Sequence, residues 1–256
     1  MRIWILVLLI SVFCLSLGGC CQSAIKFNRA EHANIKTIGI LTIDEVSEEY
    51  AIEDIESRMG SGSAYLQAGA VGAALGPILG EAVAGSKVPK TDALKVALDK
   101  QGFDFRREVY YGLMTELNNN GYTVVPVNVP RKRDMFIQDY NNIPGDVDAY
   151  LDVFGGQIGC VQASFDFSYC PWAGVHAQLV EARSGKILYR SFPYYGFVMH
   201  YNNSCFEIGC AFCSVKKDSR FCWKNFPSII SDSKAFTEGM QYALKSITQK
   251  IANDLK

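Results

Sequence analysis

Apolar positions recur along this chain in a few distinct rhythms, and each rhythm specifies an element. The most regular lies near the C-terminus, where Phe236, Met240, Leu244, Ile247, Ile251 and Leu255 follow at steps of three and four. On a helix of 3.6 residues per turn they share one face, so a long amphipathic helix is expected. Asp104 is a capping residue for a second helix with Phe105, Val109, Leu113 and Leu117 inward. Asn118-Asn119-Asn120-Gly121 ends it, since Asn and Gly tolerate the left-handed backbone that closes helices. A shorter helix over 92–101 places Leu94, Ala97 and Leu98 inward and stops at Gly102.

Other stretches read as strands. Lys36 to Asp44 is an apolar run of the buried kind, Tyr122 to Asn128 is the next, and Asp148 to Phe154 a further one. Trp172 to Ala182 alternates, with Val175, Ala177 and Leu179 inward and His176 and Gln178 outward to solvent. Arg183-Ser184-Gly185 turns it into Lys186–Phe192 as a hairpin, and Tyr195–Tyr201 adds a last strand. Glu48–Met59 is acidic with a weak helical pattern, and Pro130–Val147 has room for a short helix. The expected class is α/β (α+β), a mixed sheet with helices packed on it.

The N-terminus changes the picture. Met1-Arg2 precedes an almost uninterrupted apolar run from Ile3 to Leu17. It is shorter than the ~20 apolar residues a membrane span needs, and it has the regions of a secretory signal. It ends in Leu17-Gly18-Gly19-Cys20, which resembles a bacterial lipobox. Small residues let the peptidase reach the backbone, and the thiol of Cys20 takes the lipid. An ordinary signal peptide or an uncleaved anchor is the alternative, though Gly19-Cys20 would be an odd site for the former. The expected organisation is a signal peptide over 1–19, a tether over 20–35 and one α/β domain over 36–256. Diacyl-Cys20, palmitate-bearing, anchors the chain to the lipid bilayer, and two chains make that anchoring stable. Cys21, rather than Asp, follows the lipidated residue, which by resemblance to enterobacterial lipoprotein sorting favours the outer membrane; a periplasm-facing domain is expected.

Export gives nine cysteines a reason. Beyond Cys14, Cys20 and Cys21 stand Cys160, Cys170, Cys205, Cys210, Cys213 and Cys222, six in an oxidising compartment, which read as three disulfides. Cys160 with Cys170 is the simplest pairing, because they bracket one aromatic loop. The other four sit in a Cys-rich insertion over 203–222 and have three readings. They staple a surface insertion, they bind a metal or iron–sulfur cluster, or Cys210 and Cys213 form a redox pair. The alternative function carried by this cluster is a thiol or metal-binding periplasmic protein. Under the favoured reading no metal and no cofactor are expected.

The order of pieces carries a resemblance. "NNNGYTVVPV" at 118–127, "DVDAYLDVF" at 146–154 and "GVHAQLVEARSGKILYR" at 174–190 follow a lipobox and an apolar strand. This resembles envelope lipoproteins of the DUF799 type, which share the anticodon-binding-like layout of the TolB N-terminal domain and the curli-secretion lipoproteins. The similarity spans about 36–44 and 104–192, and its motifs are structural. It implies an outer-membrane accessory protein for secretion, transport or envelope assembly, and it brings no catalytic residues. Two features depart from it, the Cys-rich insertion and a Gly-rich island over 60–86.

That island places Gly72, Gly76 and Gly80 at intervals of four, a smooth groove on a helix where another backbone can approach. A glycine zipper between copies or with other envelope proteins, internal packing or a linker, and a membrane span are the three readings. Gln67, Pro77 and Glu81 argue against the span.

Composition excludes some classes. Lys and Arg number 25 against 26 Asp and Glu, a net charge of −1, so no field draws in a polyanion and nucleic-acid binding is not expected. Hydrophobic residues at 49% suit a folded chain. No HExxH, GxSxG or P-loop is present, and an enzyme is not expected. Asp146, Asp148 and Asp152 read as solvated strand ends and turns, Arg131-Lys132-Arg133 as a solvated loop, and His176 as a surface residue. The aromatics of 164–169 and 191–201 read as packing, with a partner-binding patch as the alternative.

Overall fold

The computed structural model describes residues 24–43, 51–53, 90–131, 135–162, 168–196 and 214–256. The described strands are β1 (Thr37–Leu41), β2 (Ala51–Glu53), β3 (Thr123–Val127), β4 (Ala149–Gln162), β5 (Tyr169–Glu181), β6 (Ile187–Ser191), β7 (Tyr194–Tyr195) and β8 (Ser214–Val215). They form one mixed sheet. The fold is organised by β4 and β5, which run antiparallel over almost their whole length. One edge of β4 takes β1 in parallel at Ala149–Leu151 and β2 in parallel at Gly159–Val161. β3 continues the sheet beyond β1, also in parallel. The far edge of β5 takes β6 and then β7, both antiparallel. Asp148 joins the starts of β1 and β4. Its carboxylate accepts the backbone N–H groups of Lys36 at 2.9 Å and Thr37 at 2.8 Å, which hold its pKa below the usual carboxylate range.

Helices α1 (Lys90–Lys100), α2 (Phe105–Asn119), α3 (Phe226–Ser231) and α4 (Ser233–Asp254) are described. The apolar stripes expected of α1, α2 and α4 are buried, and α4 buries Thr237, Gly239, Ala243, Thr248 and Ala252 besides. Asp104 caps α2 by accepting from the Arg107 N–H at 3.0 Å, and Gly121 follows the helix at φ +86°. α2 and α4 cross closely at Gly112, where a Cβ would stand 2.6 Å from the Thr248 hydroxyl oxygen. Their stripes meet Ile38 and Ile40 of β1, Leu151 and Val153 of β4, and Val175, Ala177 and Leu179 of β5 in one core. Fully burying such a side chain contributes roughly 1.5–3 kcal/mol, so this face dominates the fold's stability. Among the described residues, no helix is long and apolar enough to cross a membrane.

Among the described residues, the opposite face of the sheet is covered by irregular chain and carries no helix. Val129, Tyr140 and the chain around Ile137, Ile143 and Val147 pack on Leu41, Val127, Tyr150 and Val180. The short helix expected within 130–147 is absent from the described residues there. An Asx turn takes its place, with the Asn141 N–H donating to Asp139 Oδ1, and Pro144 follows. Of the segment Glu48–Met59, expected to be weakly helical, only Ala51–Glu53 is among the described residues, and it is strand, paired to β4.

The expected tether is docked over its described part. Residues 24–30 alternate between exposed and half-buried, with Ile25, Phe27 and Arg29 inward. Ile25 and Arg190 exchange both backbone hydrogen bonds at 2.9 Å, antiparallel, on the outer edge of β6. Arg29 stacks over Tyr122 at 4.3 Å.

Candidate functional site

The chemistry-bearing side chains gather on the helix-free face of the sheet. Side chains alternate along a strand, so Tyr150, Asp152 and Phe154 of β4 point away from the helices. Register sets them opposite Val180, Gln178 and His176 of β5. Asp152 is fully buried and faces the Arg131 guanidinium, 3% exposed, at 3.0 Å. Its other oxygen accepts the Ile137 N–H at 2.7 Å and the Tyr140 hydroxyl at 2.6 Å. Gln178 donates to the Tyr140 oxygen at 2.6 Å and accepts twice from Arg190, at 3.0 and 2.9 Å. Arg131 also donates to the carbonyls of Thr42, Val153 and Met135. Burial, reinforced by the Asp152 charge, pushes the Tyr140 hydroxyl above its ordinary pKa, so it stays protonated and donating. The network spans three strands and ties the covering chain to the sheet.

Beside it stands an aromatic column. His176 lies between Phe154, 4.4 Å away, and Phe192, 4.0 Å away, with Phe136 edge-on to Phe154. Burial lowers the His176 pKa to about 4, so the ring is neutral near pH 7. Arg190 sits over Phe136 at 5.6 Å. A separate open groove of about 420 Å³ lies at the C-terminal ends of β1 and β3, rimmed by Asp104, Arg107, Tyr110 and Tyr111.

These placements correct several expectations. Asp152 is an inner ion pair, not a solvated strand end, and Arg131 is its partner, not part of a solvated loop. His176 and Gln178 face a covered side, because the chain after β3 folds back over them. The pairing of Cys160 with Cys170 is also overturned, since Cys170 is bonded to Cys222, 52 residues away. β4 extends through Cys160, which lies opposite Pro171, so Cys160 and Cys170 point to opposite faces. Cys160 is buried in the helix-side core. The bond to Cys170 takes Cys222 out of a four-cysteine site, and among the described residues no three His, Cys, Asp or Glu converge as metal ligands. Cys20, Cys205, Cys210, Cys213, Gly72, Gly76 and Gly80 lie outside the described residues. One signal for the missed network was legible. An acid at period two between Tyr150 and Phe154 sits on a face too aromatic for solvent, and a buried acid requires a cation.

No protein-family model matches the chain, and no curated protein matches it. Among solved structures it is similar to the hypothetical protein CT253 from Chlamydia trachomatis, at 7% identity over 86% of this chain and 98% of that one, with a TM-score of 0.37. It is also similar to the lipoprotein GNA1162 from Neisseria meningitidis, at 13% identity over 66% of this chain and 88% of that one, with a TM-score of 0.21.

Proposed function

We propose that this chain is a bacterial envelope lipoprotein, anchored in the outer membrane through diacyl-Cys20, with its domain facing the periplasm. It acts as an accessory or assembly factor in secretion, transport or envelope biogenesis, by contact with other envelope proteins or with itself and without catalysis. One observation carries the reading: the apolar run ends in Leu17-Gly18-Gly19-Cys20. The docked leader supports it, because a domain that begins pairing at Ile25 is placed for attachment a few residues upstream.

Mass spectrometry of the N-terminal peptide, with membrane fractionation, tests this. The expected result is acylated Cys20 in the outer-membrane fraction, with Cys20→Ser folded but unlipidated and inactive in the envelope. An N-terminus cleaved elsewhere without lipid, or full function of the unlipidated form, overturns it. The native mass of the detergent-extracted protein, with and without 60–86, tests the glycine zipper of Gly72, Gly76 and Gly80. A discrete oligomer that collapses on deletion is expected.

A further inference from the structure

The geometry of the leader gives the anchored domain an orientation. Ile25 pairs with Arg190 in the antiparallel sense. The chain before Ile25 therefore departs in the direction that β6 itself runs, toward Phe192. Only five peptide steps separate Ile25 from Cys20, a reach of about 17 Å even when fully extended. The lipid must then lie close to the end of β6, where Ser191 leads through Phe192 and Pro193 into β7. This turn carries two aromatic rings that are half-buried, Phe192 and Tyr194. Phe192 rests one side on His176, and Tyr194 neighbours it at 6.4 Å. Tyrosine partitions to the level of lipid headgroups, where its apolar ring and polar hydroxyl are both accommodated, and the neighbouring Phe192 ring adds apolar surface to the same turn.

We propose that the turn between β6 and β7, with Phe192 and Tyr194, is a membrane-facing surface held at the headgroup layer by the short link between Cys20 and Ile25. This rests on the lipoprotein reading above. The opposite end of β6, at the Arg183-Ser184-Gly185 turn, then faces away from the bilayer. Ile25 is a positioning residue in this arrangement. Its backbone bonds convert a flexible attachment into a directed one.

The test uses the full lipidated protein in vesicles of phosphatidylethanolamine and phosphatidylglycerol, with bromine on the upper acyl chains as a contact quencher of tryptophan. Phe192→Trp and, in a separate protein, Tyr194→Trp report on the proposed surface, and Ser184→Trp on the far end of β6. The signal from Trp172 and Trp223 is subtracted using the unsubstituted protein. The expected result is that the added emission at 192 or 194 is mostly lost to quenching, while that at 184 is retained. Inserting a long Gly/Ser spacer between Gln22 and Ser23 should restore emission at 192 and 194 with the lipid still attached. Equal quenching at both ends of β6, stronger quenching at 184, or no effect of the spacer overturns the proposal. Mass spectrometry of the same samples separates the two failures. Acylated protein with unquenched 192 and 194 sinks only the orientation, whereas protein without lipid on Cys20 sinks the reading beneath it.

Discussion

The two faces of the sheet are covered by different chemistry. The helix side is closed by α2 and α4 with aliphatic side chains, and its order follows from apolar spacing alone. The other side is closed by irregular chain after β3, held by an ion pair, a bridging tyrosine, a glutamine and a stacked histidine. Apolar burial is non-directional and tolerates sliding, whereas each hydrogen bond of the polar side demands one partner in one place. A segment without a helix to stiffen it is thereby given a single position. Leu151 and Asp152 make the contrast local, since they are neighbours on β4 and point to opposite sides.

Substitutions at those neighbours should break the comparison most sharply. Asp152→Ala strands a buried guanidinium and should destabilise by about 3–5 kcal/mol in urea unfolding. Leu151→Ala should lose a similar amount, about 2–5 kcal/mol, through a cavity. The difference lies in rescue. Arg131→Met combined with Asp152→Leu should regain part of the loss, because no charge is left buried, while the Ile137 N–H and the Tyr140 hydroxyl still lose their acceptor. Failure of the double variant to improve on Asp152→Ala would mean that the pair holds the covering chain by more than mutual neutralisation.

Acid sharpens the contrast further. The His176 pKa is lowered from 6.5 to about 4 in the folded protein, so within that window the unfolded chain binds a proton that the fold refuses. Stability should therefore fall as pH drops from 6.5 towards 4, by on the order of 3 kcal/mol from this group, and be fully present above 6.5. His176→Phe keeps the stack and should flatten that part of the pH profile. Leu151→Ala should leave the slope unchanged. A profile unaltered by His176→Phe would place the acid sensitivity elsewhere.

The smallest effect belongs to the helix side. Asp104→Ala removes the acceptor for the Arg107 N–H and should cost about 1 kcal/mol, with no dependence on the polar network. A double variant with Asp152→Ala should be additive within experimental error, because the two sites share no partner.

How much of this was legible in the sequence follows the same division. Leu94, Val109, Leu113, Met240 and Ile247 were readable as core because helical spacing repeats locally and needs no knowledge of distant chain. The strands over 36–44, 122–128 and 148–154 were readable for the same reason, as was the turn at Arg183-Ser184-Gly185. His176, Gln178 and Asp152 were misread as outward-facing because alternation tells which residues share a face and not whether that face is covered. The Cys170–Cys222 bond was equally hidden, since pairing depends on where β4 ends and on chain 52 residues away.

The sequence by itself therefore determined the three longer helices, the strands over 36–44, 122–128 and 148–154 and the helix-side core, all of which are set by spacing within a few turns of chain. Only the tertiary structure decided that the second face is closed, that Arg131 meets Asp152, that Cys170 takes Cys222 and that the leader docks on β6. Those outcomes join residues far apart in sequence, and the free energy that selects them exists only once the sheet has brought both partners out of water.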